Sequence, residues 1–302
     1  MSRVISANRS GASRQPDAAA AHNERARSRK RIGRVLAMTI LVTTAILLVL
    51  PFITLFITSI KLDSEYNRWP IVLFPKAPQW RNYARVFEMT AFAKIMLRTA
   101  LLGILYSTII TSNSAMAGYG FARFRLPVSS RLFGIVIAML IVPGVVLLIP
   151  QFILFARLRL TNTYWPWILG ALSASPFYIF LFRQFFLTFP RELEEAAEVD
   201  GCGPFRIFLQ IFVPNSRAVI ATVMFFAFAF VWGDYLTPLI YLNVNQTLLP
   251  VAMMRNFRNP QNITIIPVAA AATVLYVLPP LIAFFLAQKH ILKGVVMSGI
   301  KG

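Results

Sequence analysis

Six long apolar stretches dominate this chain, at roughly 35–60, 95–121, 132–155, 165–186, 218–242 and 263–287. Each reaches the ~20 residues that an α-helix needs to cross about 30 Å of hydrocarbon. The composition leaves little alternative. With 57% hydrophobic and 14% charged residues, a 302-residue chain lacks the polar surface that a soluble core of this size requires. The expected fold class is an all-α integral membrane protein of about six transmembrane helices. An even number of spans puts both termini on one side.

The formal charge of +19 does not point to nucleic acid, because the basic residues sit at span ends and in one tail. Arg25, Arg27, Arg29, Lys30, Arg31 and Arg34 crowd the approach to the first span. With the amino terminus inside, nineteen of the thirty Lys and Arg residues fall on the inner side, as the positive-inside rule requires. Both termini are therefore expected in the cytoplasm, and anionic lipid adds a further attraction for these clusters. The expected layout is a basic, unstructured tail over 1–34, a transmembrane domain over 35–290 and a short cytoplasmic tail over 291–302. No secretory signal is expected, since the first apolar run is too long and lacks a small-residue cleavage site. Cys202 is the sole cysteine, and His22 and His290 lie near opposite ends, so neither a disulfide nor a metal site is expected.

One polar, Gly-punctuated segment interrupts the apolar pattern over 190–217. It predicts a short helix from Pro190 to Val199, a break at Gly201 and a second short helix from Pro204 to Phe212. Glu192, Glu194, Glu195, Glu198 and Asp200 load the first helix with acid, which is partly good chemistry for a helix start. The same pattern suits a docking knob for a basic groove, with Gly201 giving a tight reversal and close approach. Residues alone leave both readings open.

The spacing Glu195-Ala196-Ala197, Asp200-Gly201, Ile211 and Pro214, set between two expected spans, resembles the coupling-loop signature of permease subunits in type I bacterial ABC importers. A bare Glu-Ala-Ala triplet would carry no such weight. Val213 stands where that family usually has Leu, and Cys202 where a small Ala is common; both changes conserve size. The likeness extends further. Residues 74–87 are similar to the segment before the second span in the sugar-importing branch, and residues 118–126 to its second-span exit. Trp232-Gly233-Asp234-Tyr235 with Pro238-Leu239 resembles its fifth-span signature, although Gly233 replaces a frequent Asn. The ending from Gln288 to Gly302 is similar to that of the second, maltose-type permease.

The resemblance implies a permease that moves a sugar or oligosaccharide across the bacterial cytoplasmic membrane. Its implied partners are a dimer of ATPase subunits, a second non-identical permease and an external substrate-binding protein. Glu195, Ala196, Ala197, Asp200, Gly201, Ile211 and Pro214 would then couple the ATPase to the spans. The stretch from Gly294 to Lys301 is not a phosphate loop, since Lys does not follow its second Gly directly and no Ser or Thr comes after. No cofactor is expected, nor is an enzyme, because no nucleophile–base or carboxylate pair has catalytic spacing.

A transport path needs polar groups facing the bundle interior. Asp234 is the only acidic residue within or near a span, and it reads either as an interfacial carboxylate or as a substrate contact. Ser112, Asn113, Ser173 and Ser175, with Ser114, are candidate lining groups or simple packing contacts. Phe225, Phe226, Phe228 and Phe230 suit either packing or stacking on a sugar ring. Two rival readings are the same architecture with a non-sugar cargo, and an ion-coupled secondary carrier. The carrier usually shows repeats and buried carboxylates that are not evident here. A membrane scaffold is a third.

Overall fold

The computed structural model of the protein describes residues 16–70, 72–124 and 127–299. They form fifteen α-helices and one π-helical turn, with no strand among the described residues. The chain divides into two compact units at Leu55–Phe56. The first consists of most of α1 (Pro16–Ser59), so the basic stretch 16–34, expected to be unstructured, is helical; residues 1–15 lie outside the described residues. Pro51 is carried within α1, and the apolar segment Gly33–Ser59 is long enough to cross a membrane. Its aliphatic side chains, Leu41, Leu47 and Leu48 among them, are exposed, as suits a helix whose solvent is lipid.

The second unit opens with two short helices, α2 (Asp63–Tyr66) and α3 (Arg81–Met89). The expected loop here is held by specific bonds. Asn82 Nδ2 donates to the carbonyls of Ser59 and Lys61, both at 2.9 Å, and the Ser59 hydroxyl meets Tyr83 OH at 2.8 Å. The Glu65 carboxylate accepts the backbone N–H groups of Leu62 and Lys76.

The centre of the unit is α4 (Phe92–Arg123), which packs against several of the helices that follow. Its buried face carries small residues, Gly103, Ser107, Thr111, Ser114 and Gly118, about one turn apart. In a bilayer, where apolar side chains gain nothing by leaving lipid, close backbone approach of this kind drives helix association.

The third apolar run is not one straight span. It splits into α5 (Ser129–Met139) and α6 (Gly144–Arg157), bent by 95°. Pro143 accounts for the break, since it removes a backbone donor and pushes Val142 away from helical geometry. The fourth run is also interrupted, giving α7 (Trp165–Leu172) and α8 (Pro176–Phe186), with Ala174 at φ 59° between them. The connecting segment contains α9 (Glu192–Val199), α10 (Pro204–Ile207), a π-helical turn (Phe208–Phe212) and α11 (Val213–Asn215). The fifth run, expected over 218–242, becomes α12 (Arg217–Gly233), a break at Asp234 and Tyr235, and α13 (Leu236–Tyr241). The chain continues through α14 (Leu249–Arg255) to α15 (Ile266–Gly299), so the expected tail after residue 290 prolongs the last helix.

Four helical segments, with α7 and α8 taken together as Trp165–Phe186, are long and apolar enough to span a membrane, and up to six are when α5 with α6 and Pro204–Asn215 with α12 each count as one bent span. Pro280 illustrates how a helix breaker is used. It lacks the N–H that Tyr276 O would accept, and that carbonyl instead accepts Trp232 Nε1 at 3.1 Å while Tyr276 OH donates to Trp232 O at 2.8 Å. This reciprocal pair ties α12 to α15.

Candidate functional site: the helical elbow and a polar cavity

The elbow begins with α9, slightly shorter than expected, and turns at Gly201, whose φ of +77° favours glycine. Nothing crowds the space a Cβ would occupy there, so the requirement is conformational rather than steric. Gly201 and Cys202 donate their N–H groups back to the carbonyls of Glu198 and Ala197, closing the end of α9. Pro204 then starts α10, where its missing N–H costs nothing. The second expected helix is not regular: it widens into the π-helical turn before Pro214 and Asn215.

The elbow has two faces. Ala197, Ile207, Phe208 and Phe212 are buried in one cluster with Tyr119 of α4 and Phe182 and Phe186 of α8. Ile211 packs against that cluster, whereas Glu195, Ala196, Asp200 and Pro214 are exposed. Val199 is 88% exposed, and Phe205 and Leu209 are exposed as well. The expected coupling residues thus separate into Ala197 and Ile211, which fix the elbow to the bundle, and the others, which face outward.

Sequence reasoning missed the residue that anchors this element. Arg123 Nη2 donates to the carbonyls of Phe186 (2.7 Å) and Phe189 (2.9 Å), and its guanidinium lies 5.0 Å from the Phe212 ring centre. Arg123 Nε stands 3.0 Å from Glu194 Oε1, with side chains only 6% and 17% exposed. Neither of these two atoms makes an aligned hydrogen bond, so the contact is a charge pair. Burial pushes the Glu194 carboxyl above its ordinary value, against the pull of Arg123 and with help from Glu198. A cation closing the last turn of an apolar helix was the available signal.

Asp234 lies at the other end of α12, about 25 Å from the elbow by helical rise. Its Oδ1 accepts the N–H of Thr237 at 3.1 Å and so starts α13; its Oδ2 is buried without a partner among the described residues. Asp234 lines a cavity of about 480 Å³ between α6, α7, α12 and α13. Trp167 (4% exposed) and Tyr241 (2% exposed) line it too, and Trp167 Nε1 and Tyr241 OH are likewise buried and unpaired. Each such orphan costs about 1–3 kcal/mol. Tyr106 and Phe230, stacked with centroids 6.0 Å apart, form another part of the wall.

Of the serine and asparagine candidates, Ser173 lines this cavity while its hydroxyl donates to Gly170 O. The others do local work. Ser112 Oγ bonds back to Thr108 O, Asn113 Nδ2 reaches the carbonyls that end α7, and Ser114 Oγ accepts the N–H of Ser175. Among the phenylalanines, Phe228 stacks on Trp232 and Phe225 packs on Phe284. The described residues contain no group of acidic, His or Cys side chains able to hold a metal ion.

Residues 114–296, the part of the chain containing the elbow and most of this cavity, match the model for the inner membrane component of binding-protein-dependent transport systems. The chain belongs to that family. It is a transport permease and not an enzyme, a multi-pass protein of the inner membrane, and membership implies a substrate-binding protein and an ATPase as partners. A lactose transport system permease protein of Rhizobium radiobacter is 30% identical over 89% of this chain and 97% of its own length. An sn-glycerol-3-phosphate transport system permease protein of Yersinia pestis is 28% identical over 85% of this chain and 94% of its own. The fold of this permease also matches a chain of a bacterial ABC transporter that imports the acidic polysaccharide alginate. The TM-score is 0.72 at 20% identity, covering 86% of this chain and 96% of that one.

Proposed function

We propose that this permease imports a sugar or oligosaccharide as one of two non-identical permease subunits, with both termini and the elbow on the cytoplasmic side. The observation that carries the reading is the two-faced elbow. Its aromatic underside is embedded against α4 and α8, while Glu195, Asp200, Val199 and Phe205 project outward. A rigid element exposed in this way transmits the motion of a partner docked on it to the helices beneath. Glu195, Ala196, Asp200, Gly201 and Pro214 form the docking side in this reading, and Ala197 and Ile211 the side that receives the motion. The lactose name of one relative supports a carbohydrate cargo.

The test is copurification of the full chain with its membrane partners, comparing the native elbow with the double variant Glu195→Ala plus Gly201→Asp. The native chain should bring down an ATPase and a second, different permease, and the double variant should lose the ATPase. A correctly inserted native chain that binds no ATPase would sink the reading.

A further inference from the structure

We propose that the cavity around Asp234 is a subsite for a neutral, polyhydroxylated saccharide, with Asp234, Trp167 and Tyr241 as its hydrogen-bonding groups. This deepens the sugar-import reading above and rests on it. The cavity volume of about 480 Å³ falls within the roughly 300–1,000 Å³ usual for small-molecule sites. Buried polar groups normally find partners, and three residues lining a single cavity that each keep a buried polar atom unpaired among the described residues are a strong departure from that habit. They come from separate elements: Trp167 from α7, Tyr241 from α13, and Asp234 from the break between α12 and α13.

The chemistry of the three atoms narrows the ligand. Asp234 Oδ2 only accepts, Trp167 Nε1 only donates, and Tyr241 OH does either. A hydroxyl also does either, so the hydroxyls of a sugar match all three in donor and acceptor character. An amine cation would pair with Asp234 and leave the indole N–H without an acceptor. An anion would meet the Asp234 carboxylate in a lining that contains no Lys or Arg among the described residues. The stacked rings of Tyr106 and Phe230 offer an apolar wall for the C–H face of a sugar. Selection against charge is the distinctive consequence, because family relatives include one named for a phosphate ester.

The experiment uses the full chain assembled with its ATPase, binding protein and partner permease in membrane vesicles. ATP-dependent uptake is measured with radiolabelled lactose and raffinose as neutral probes, and with sn-glycerol 3-phosphate and an alginate oligosaccharide as anionic ones. Native vesicles should favour a neutral probe. Asp234→Asn should cut its uptake about tenfold, and Trp167→Phe and Tyr241→Phe about threefold each. Asp234→Asn and Tyr241→Phe nearly keep side-chain volume and Trp167→Phe keeps an aromatic ring, and rates are compared at equal amounts of copurified ATPase. Asp234→Asn should also raise the ratio of anionic to neutral uptake, which a merely structural role would not do. Neutral uptake within about twofold of native in all three variants overturns the subsite and leaves the importer reading standing. Native preference for an anionic probe, unaltered in Asp234→Asn, overturns it as well. ATP-dependent uptake of none of the four probes overturns the sugar-import reading and the subsite with it.

Discussion

Arg123 Nε and Glu194 Oε1 stand 3.0 Å apart where α4 ends, joining the central helix of the bundle to the first helix of the elbow. The same guanidinium holds two carbonyls at the end of α8 and faces the ring of Phe212. One side chain of α4 therefore touches the end of α8, the first helix of the elbow and its π-helical turn. Replacing Arg123 with Met would strand a buried carboxylate and two carbonyls, at a cost of about 3–5 kcal/mol. Chemical denaturation in detergent should register that loss, with a far smaller one for Glu194→Gln. Arg123→Lys should recover only part, because a single ammonium cannot reproduce the planar fork. A native-like denaturation midpoint for Arg123→Met would disprove the anchoring role.

Two glutamates outside the spans respond to acid in opposite senses. Burial raises the Glu194 carboxyl above the ordinary 4.5, so the native state holds that proton to a higher pH than the unfolded chain does. Its protonation adds stability as pH falls through the raised native value toward 4.5, and that stability is absent at neutral pH. Two backbone N–H groups, from Lys76 and Leu62, hold Glu65 below 4.5; its contribution is complete above 4.5 and disappears as pH falls through the lowered native value. Thermal midpoints of native, Glu194→Gln and Glu65→Gln chains between pH 7 and 3 separate the two. The native chain should gain on Glu194→Gln as pH falls to 4.5, and lose its advantage over Glu65→Gln only below that. Gaps that stay constant across the range would contradict both assignments.

The extent to which this architecture is legible in sequence follows from what hydropathy measures. It locates apolar length, and so finds the runs that become α1, α4 and α15. It is blind to direction, so the run containing Pro143 reads as one span although its halves meet at 95°. The elbow is legible because Gly201, Pro204 and the acidic first turn each have a local conformational meaning. Its inner face is not, because the burial of Phe208 and Phe212 depends on Tyr119 and Phe186, which are far away in the chain. Asp234 is conspicuous as a lone acid near a span, whereas Trp167 and Tyr241 look like ordinary interfacial aromatics. Only their convergence on one cavity makes their unpaired atoms informative.

The bond between Trp232 and Tyr276 depends on a proline four residues further along α15. Because Pro280 cannot donate to Tyr276 O, removing the indole N–H by Trp232→Phe should leave that carbonyl unpaired and cost about 1–3 kcal/mol. Adding Pro280→Ala to that variant supplies the missing helical N–H and should restore part of the loss. A double variant no more stable than Trp232→Phe alone would show that the freed carbonyl is not the source of the cost.

Glycine-to-alanine changes at Gly118 and Gly134 should move stability in opposite directions, although both residues lie within helices. A Cβ on Gly118 would come within 2.6 Å of Phe182 Cβ, 3.1 Å of Arg183 N and 3.2 Å of Ile179 O. Two of these are backbone atoms of α8 and cannot turn aside, so the helices must separate, at about 1–3 kcal/mol. A Cβ on Gly134 meets nothing within 4 Å, and there alanine should gain about 0.5–1 kcal/mol from its lower backbone entropy cost. Because α8 leads directly into the elbow and shares Phe182 and Phe186 with its buried face, Gly118→Ala should also weaken ATPase copurification. Gly134→Ala should leave it unchanged. Equal thermal midpoints for the two variants would mean that α4 and α8 are not in the close contact on which this account of the elbow depends.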